Sequence, residues 1–257
     1  TTPFGDPSDE YVLGTQQGCR VAFLPRHGRG HRLLPSELNF RANVHGMKQL
    51  GVSHLLAVGA VGSLRAEIEP GHLVIPDQFI DRTFGRRATF FGDGVVAHVQ
   101  FGDPVCKGLA SAVASAARGT GATVHEGGTY VCMEGPQFST RAESNLYRSW
   151  NASVIGMTNL QEAKLAREAE LCFATLALST DYDCWHESAA EVDAASILAV
   201  LHANAALAAR TVAALAAAPP AADCACRRAL EFAIVTDRAT IPEGTRERLR
   251  LIAGRYL

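Results

Sequence analysis

The chain has 257 residues, 47% hydrophobic and 19% charged, with a formal net charge of -2 and a pI near 6.5. That is enough chain for one large domain with a well-buried core, and the near-neutral balance excludes a polybasic surface for nucleic acid or membrane. The longest apolar region, from Ile197 to Ala218, is broken by His202, Asn204 and Arg210, so it reads as an Ala-rich helix with one buried face and not as a membrane span. Seven scattered cysteines make no disulfide framework, no signal peptide is expected, and a reducing cytoplasm is the expected setting. The close pair Cys224-Ala225-Cys226 reads as incidental reduced thiols, with a redox or metal role as the alternative.

In chain order, Arg20–Leu24 reads as a strand, Ser36–Leu50 as a helix ended by Gly51, and His54–Val58 as a buried strand. Further strands are predicted at Val74–Pro76, Gly128–Met133, Val154–Gly156 and Leu171–Ser179, with helices at Pro104–Ala117 and Thr140–Trp150. Thr140 with Glu143, and Asn159 with Glu162, have capping-box spacing. The tail from Asp193 to Leu257 is predicted helical, interrupted at Pro219-Pro220. This alternation indicates a single α/β domain with a mixed or largely parallel sheet.

The segment Phe23-Leu24-Pro25-Arg26-His27-Gly28-Arg29-Gly30-His31 ends an apolar strand in a basic, glycine-interrupted loop. Ligands gather at strand C-termini in α/β proteins, and Arg grips tetrahedral oxyanions bidentately. The loop is therefore a phosphate-type anion site or else a solvated basic loop. A metal held by His27 and His31 at i, i+4 would need a helix, which Gly28 and Gly30 oppose. Ala57-Val58-Gly59-Ala60-Val61-Gly62-Ser63-Leu64 reads as an anion nest after a strand or as a tight strand-exit turn. It is neither a dinucleotide fingerprint nor a Walker loop.

Met157-Thr158 precedes a capped helix, so Thr158 is another anion contact or simply the cap. In Asp181-Tyr182-Asp183 an extended backbone would point both carboxylates the same way. Such a pair needs a cation, a proton or hydrogen-bond donors, and an adenine offers donors beside a nitrogen that must be protonated on leaving. A metal and two solvated aspartates are the alternatives. Phe138, at a predicted strand-to-helix crossing, is a base- or sugar-stacking ring or a core residue. There is no hydrolase elbow, so the nucleophile is expected to arrive as a second substrate.

Taken together, Leu24-Pro25-Arg26-His27-Gly28-Arg29, Ala60-Val61-Gly62-Ser63-Leu64, Pro76 to Thr83, Glu134 to Ser144, Met157-Thr158 and Thr180 to Trp185 resemble the methylthioadenosine phosphorylase and purine nucleoside phosphorylase family, trimeric branch. Asp181-Tyr182-Asp183-Cys184-Trp185 resembles the methylthioadenosine side of that family. The resemblance implies a three-layer α/β/α domain over residues 1–257 with a mixed central sheet, a homotrimer, and small-molecule nucleoside and phosphate as its ligands. Phosphate is a co-substrate, with no cofactor, no metal, no nucleic acid and no membrane.

It also implies that Arg26, His27, Gly59, Ala60 and Thr158 surround phosphate, and that Phe138, Ser139, Met157, Tyr182 and Asp183 line the nucleoside. Asp181 would protonate N7 of adenine, helped by repulsion from Asp183. Val192, Ala194, Ile197 and Leu198 would form an apolar 5′ pocket, with His31 and a neighbouring subunit's His98 as weaker contributors. The family's Gly-rich phosphate loop and first strand are expected upstream of Thr1, and Gly59 stands where many members carry Thr or Ser. Other purine specificities (inosine, guanosine or adenosine), a hydrolytic nucleosidase and a silent nucleoside-binding paralogue are the rival readings.

Overall fold

The computed structural model describes residues 1–186, 194–221 and 223–257. An antiparallel ribbon of β1 (Val12–Gln16) and β2 (Cys19–Phe23) stands apart from the main sheet. Then come α1 (Phe40–Gln49), β3 (His54–Ser63), β4 (Leu73–Ile75), β5 (Gln78–Arg82), α2 (Lys107–Gly119), β6 (Val124–Glu126) and β7 (Thr129–Met133). The second half adds α3 (Arg141–Ser149), β8 (Val154–Gly156), α4 (Asn159–Glu168), β9 (Cys172–Asp181), α5 (Ala194–Ala217) and α6 (Glu243–Ala253). Seven strands make a mixed sheet in the order β5-β7-β8-β3-β9-β4-β6, with β3 and β9 parallel at its centre.

Strand β9 explains the layers. It is buried nearly end to end, and its alternate residues belong to different cores. Cys172, Ala174, Leu176 and Leu178 pack with Leu109, Val113 and Ala117 of α2 and Ala208 of α5. Phe173 faces the opposite core, with Val44 of α1, Leu165 of α4 and Leu249 of α6. Both sheet faces are thus covered by helices, the α/β/α arrangement the sequence predicts.

Three sequence expectations change. The strand expected at Arg20–Leu24 belongs to the two-stranded ribbon, not to the central sheet. Gly59 and Gly62 lie inside a β3 that runs on to Ser63, so the stretch is neither nest nor turn; its pairing with β9 continues through the glycines. The C-terminal tail is helical only in α5, α6 and short 3-10 turns at Ala225–Arg228 and Arg238–Thr240.

Candidate active site

The carboxyl-terminal half of β3 organises the site. At one end the basic loop after β2 turns back at Gly28, whose φ of 72° is open to glycine at little cost, and delivers Arg26 against Gly59. A Cβ on Gly59 would lie 3.5 Å from Arg26 Nη1. Arg26 Nη1 donates to Thr158 Oγ1 at 2.6 Å and Nη2 to the Val58 carbonyl at 2.7 Å. Its Nε lies 3.1 Å from Glu162 Oε1, both side chains being 14% exposed. Of the five guanidinium N–H groups, one on each terminal nitrogen stays without a partner among the described residues.

Two expectations are corrected here. Thr158 is the N-cap of α4 but makes no side-chain capping bond; its hydroxyl accepts from Arg26 instead. Glu162 forms no capping box with Asn159 and is the counter-ion of Arg26. Burial pushes the Glu162 carboxyl up, opposed by Arg26. Asn159 Nδ2 meanwhile donates to Thr175 Oγ1 at 3.3 Å.

His27 Nδ1 lies 2.9 Å from the Leu33 carbonyl, which assigns the proton to Nδ1 and leaves Nε2 as an acceptor. Its ring stacks on His31 at 4.3 Å, in no helix. Burial lowers its pKa to about 4, so the imidazole is neutral at pH 7.

At the other end of β3 sit the acids. The ladder with β9 slips between Val61 and Gly62: Val61 faces Ser179 and Gly62 faces Asp181, leaving Thr180 as the extra residue of a bulge. Asp181 Oδ2 accepts from Thr180 Oγ1 and Oδ1 from the Asp183 backbone N–H, each at 2.7 Å. The second bond is an Asx turn, and Asp183 itself has a φ of 51°. A local turn therefore joins the carboxylates, in place of the extended alternation the sequence suggests. A Cβ on Gly62 would lie 3.0 Å from Asp181 Oδ1 and 3.3 Å from Asp183 Cβ, so the acids sit where only glycine leaves room.

Burial raises the Asp181 pKa, opposed by the bonds from Thr180 and Asp183. Repulsion between the two acids falls on Asp183, whose pKa it raises, while at Asp181 burial is the leading cause. Asp183 is also raised, first by burial, with the nearby Ser144 hydroxyl opposing. It is 6% exposed, and its Oδ2 has no hydrogen-bond partner among the described residues.

The residues expected to line a nucleoside come from two loops. Cys184 Sγ donates to the Ser139 carbonyl at 3.3 Å, and Ser139 Oγ approaches Met133 Sδ at 3.6 Å, tying the Phe138–Ser139 segment to the acidic turn. Phe138 is 51% exposed, a free ring face and not a core residue. Met157 packs on Gly135, where a Cβ would lie 2.5 Å from its sulfur. Tyr182 is not gathered with the acids: its hydroxyl donates to the Ala66 carbonyl and its ring stacks on His186.

Of the 5′-pocket residues, Val192 lies outside the described residues and Ala194, Ile197 and Leu198 lie on α5. His98 belongs to a loop bridging to Ala233. Besides Glu162 and Gly62, sequence reasoning misses Arg86. Its side chain is 3% exposed and donates to the carbonyls of Met157 and Glu134 and to the Glu134 carboxylate. It clamps the two nucleoside loops together, and no local pattern announces it.

An arginine with free donors and a buried acid pair flank the carboxyl-terminal half of β3, an arrangement suited to an oxyanion at one end and a heterocycle at the other. The chain belongs to the phosphorylase superfamily, whose family model matches residues 1–217. It is 61% identical over 258 residues to the S-methyl-5'-thioadenosine phosphorylase of Geobacter sulfurreducens, covering 100% of this chain and 90% of that protein. It is 62% identical over 257 residues to the protein of the same name from Koribacter versatilis, covering 100% and 88%. Among solved structures, a methylthioadenosine phosphorylase from an antarctic soil metagenomic library superposes with a TM-score of 0.92 at 47% identity, covering 98% of this chain and 89% of that one. The Schistosoma mansoni methylthioadenosine phosphorylase in complex with adenine superposes at 0.82 with 36% identity, covering 84% and 83%.

Proposed function

We infer that this chain is a pentosyltransferase that cleaves the N-glycosidic bond of 5′-methylthioadenosine with inorganic phosphate, giving adenine and 5-methylthioribose 1-phosphate. The observation that carries the reading is the buried Asp183 Oδ2, without a hydrogen-bond partner among the described residues, beside an Asp181 whose pKa burial raises. An acceptor next to a proton donor matches the amino group and N7 of a 6-aminopurine. A 6-oxopurine would set its carbonyl against Asp183, oxygen to oxygen.

The residues divide the work. The free N–H groups of Arg26 and the Thr158 hydroxyl donate to phosphate, neutral His27 accepts from its P–O–H through Nε2, and Gly59 and Ala60 form the floor. Gly59 and Gly62 are three residues apart on β3, about 10 Å, which leaves room for a ribose between anion and base. Phe138, Ser139 and Met157 line the base and sugar, and the residues Val192, Ala194, Ile197 and Leu198 suit a thioether at the 5′ position. The phosphate dianion stabilises the oxocarbenium-like sugar and then attacks C1′, while Asp181 donates its proton to N7. Positioning and charge placement carry the rate, without a covalent enzyme intermediate. The reaction so written calls on no cofactor.

We also infer a cytoplasmic homotrimer. Apolar side chains on the ribbon, Val12, Leu13 and Phe23, are 49%, 56% and 62% exposed and suit a subunit contact. No helix among the described residues is long and apolar enough to cross a membrane. Light scattering at three chain masses is the expected result, and a monomer would refute the trimer.

One assay tests the activity. Adenine release from 5′-methylthioadenosine is expected to depend on phosphate and to exceed cleavage of inosine under the same conditions. Preference for inosine would overturn the specificity, and release that is unchanged without phosphate would make the reaction hydrolytic.

A further inference from the structure

Far from these acids, four thiols from three separate parts of the chain meet. Cys106 is the N-cap residue of α2, Cys172 opens β9, and Cys224 and Cys226 flank the start of the Ala225–Arg228 turn. All four sulfurs lie within 4.8 Å of one another. Cys224 Sγ is 3.3 Å from Cys172 Sγ and 3.9 Å from Cys106 Sγ. The pair that reads as incidental in sequence is thus half of a larger cluster.

We propose that Cys106, Cys172, Cys224 and Cys226 form a closed, structural tetrathiolate site for one soft divalent cation, of which zinc is the type. In a tetrahedral zinc site with bonds of about 2.3 Å the sulfurs stand about 3.8 Å apart, inside the 4.8 Å that bounds this cluster and close to the 3.9 Å between Cys224 and Cys106. The sulfurs are too close together to admit the inorganic sulfides of an iron–sulfur cluster. Two disulfides would also use four thiols, but at about 2.05 Å each; the four are free cysteines here, with Cys224 Sγ 3.3 Å and 3.9 Å from its neighbours.

The surroundings suit a structural ion. Cys106, Cys172 and Cys226 are at most 8% exposed, and the shell is apolar, with Leu109, Val113 and Leu176. The backbones that carry the ligands are held: Cys106 N–H donates to the Phe173 carbonyl, Cys172 N–H to that of Ser53, and Arg227 N–H to that of Cys224. The start of α2 lends its positive end to Cys106, which favours thiolate there. On binding, each S–H bond is replaced by a sulfur–metal bond and four protons pass to solvent, with no change of oxidation state. Cys172 and Asp181 are opposite ends of β9, about 30 Å apart, so the ion takes no part in the cleavage. Its effect is to staple the segment around Cys224 to β9 and α2.

The test uses the full chain, purified under reducing conditions and titrated with zinc or cobalt alone. One ion per chain is expected by native mass spectrometry, and cobalt is expected to give the intense visible bands of a tetrahedral thiolate complex. Zinc should slow alkylation of Cys106, Cys172, Cys224 and Cys226 by about tenfold or more, leaving Cys19 and Cys184 unchanged. This footprint needs no variant; Cys226→Ser should in addition abolish the four-sulfur cobalt spectrum. Equal alkylation with and without zinc would overturn the proposal. So would a two-hydrogen mass deficit at these cysteines that zinc cannot prevent, which would mark a disulfide instead.

Discussion

The two ends of the β3 site solve opposite problems. At the phosphate end a cation is already satisfied: Arg26 is held by Glu162, Thr158 and the Val58 carbonyl, and its remaining donors are aimed by those bonds. At the other end two acids are buried, and among the described residues no cation pairs with them and one oxygen of Asp183 has no partner. The first end is preorganised by charge pairing, so the incoming anion meets fixed donors and little needs to rearrange. The second is held by a local turn and the Thr180 hydroxyl and keeps its proton affinity because it is buried. A site can therefore be rigid without being satisfied.

The sharpest way to break this contrast is Asp181→Asn. It keeps shape but removes the proton, and kcat for 5′-methylthioadenosine should fall by about 10²–10⁴ while KM moves little. Steady-state kinetics check this, and a parental kcat would remove Asp181 from the chemistry.

Next comes Arg26→Ala, which strands Glu162 in a buried position. Unfolding free energy should drop by about 3–5 kcal/mol, and the KM for phosphate should rise. Neutralising the stranded acid in Arg26→Met with Glu162→Gln should return most of the stability in urea melts but none of the phosphate affinity. If affinity returned too, the arginine would be a scaffold and not a ligand-binding group.

Gly62→Ala asks whether the acids depend on an empty Cβ position. The added methyl meets Asp181 Oδ1 at 3.0 Å, and a loss of about tenfold in kcat is expected with Arg26-dependent phosphate binding unchanged. An unaltered kcat would show that the acids tolerate displacement.

The smallest effect concerns a control acid away from both ends. Glu168 accepts from Thr89 Oγ1 and the Phe90 N–H, each at 2.7 Å, yet burial raises its pKa from 4.5 to about 7. A raised carboxyl contributes stability that is present in full below pH 4.5 and lost as pH climbs through 7. The difference is at most about 3 kcal/mol at neutral pH. Glu168→Gln should flatten the melting temperature between those limits, and a slope equal to the parent's would place its origin elsewhere.

How much of this was legible depends on whether a residue's partner is local. Thr140 and Glu143 form the capping box that their spacing announces. Asn159 and Glu162 have the same spacing and do not, because Arg26, more than a hundred residues away in sequence, captures the glutamate. Arg26, Thr158, Asp181 and Asp183 were readable as chemistry, since buried-strand exits rich in charge are costly without a purpose. The glycines of β3 read as a nest or a strand-exit turn because glycine signals backbone freedom locally, whereas here it makes space for side chains from other segments. The short strands β5 and β6 escaped notice: Val124–Glu126 spans only three residues, too few for any period to show.

The extra residue at Thr180 carries a warning for anyone redesigning this scaffold. Side chains alternate strictly along a strand, so deleting that residue to regularise the pairing of β3 and β9 would swing everything after it to the opposite surface of the sheet. The straightened protein would gain a neater ladder and a firmer centre. It would also lose its grip on purines, with every catalytic side chain still present in the sequence.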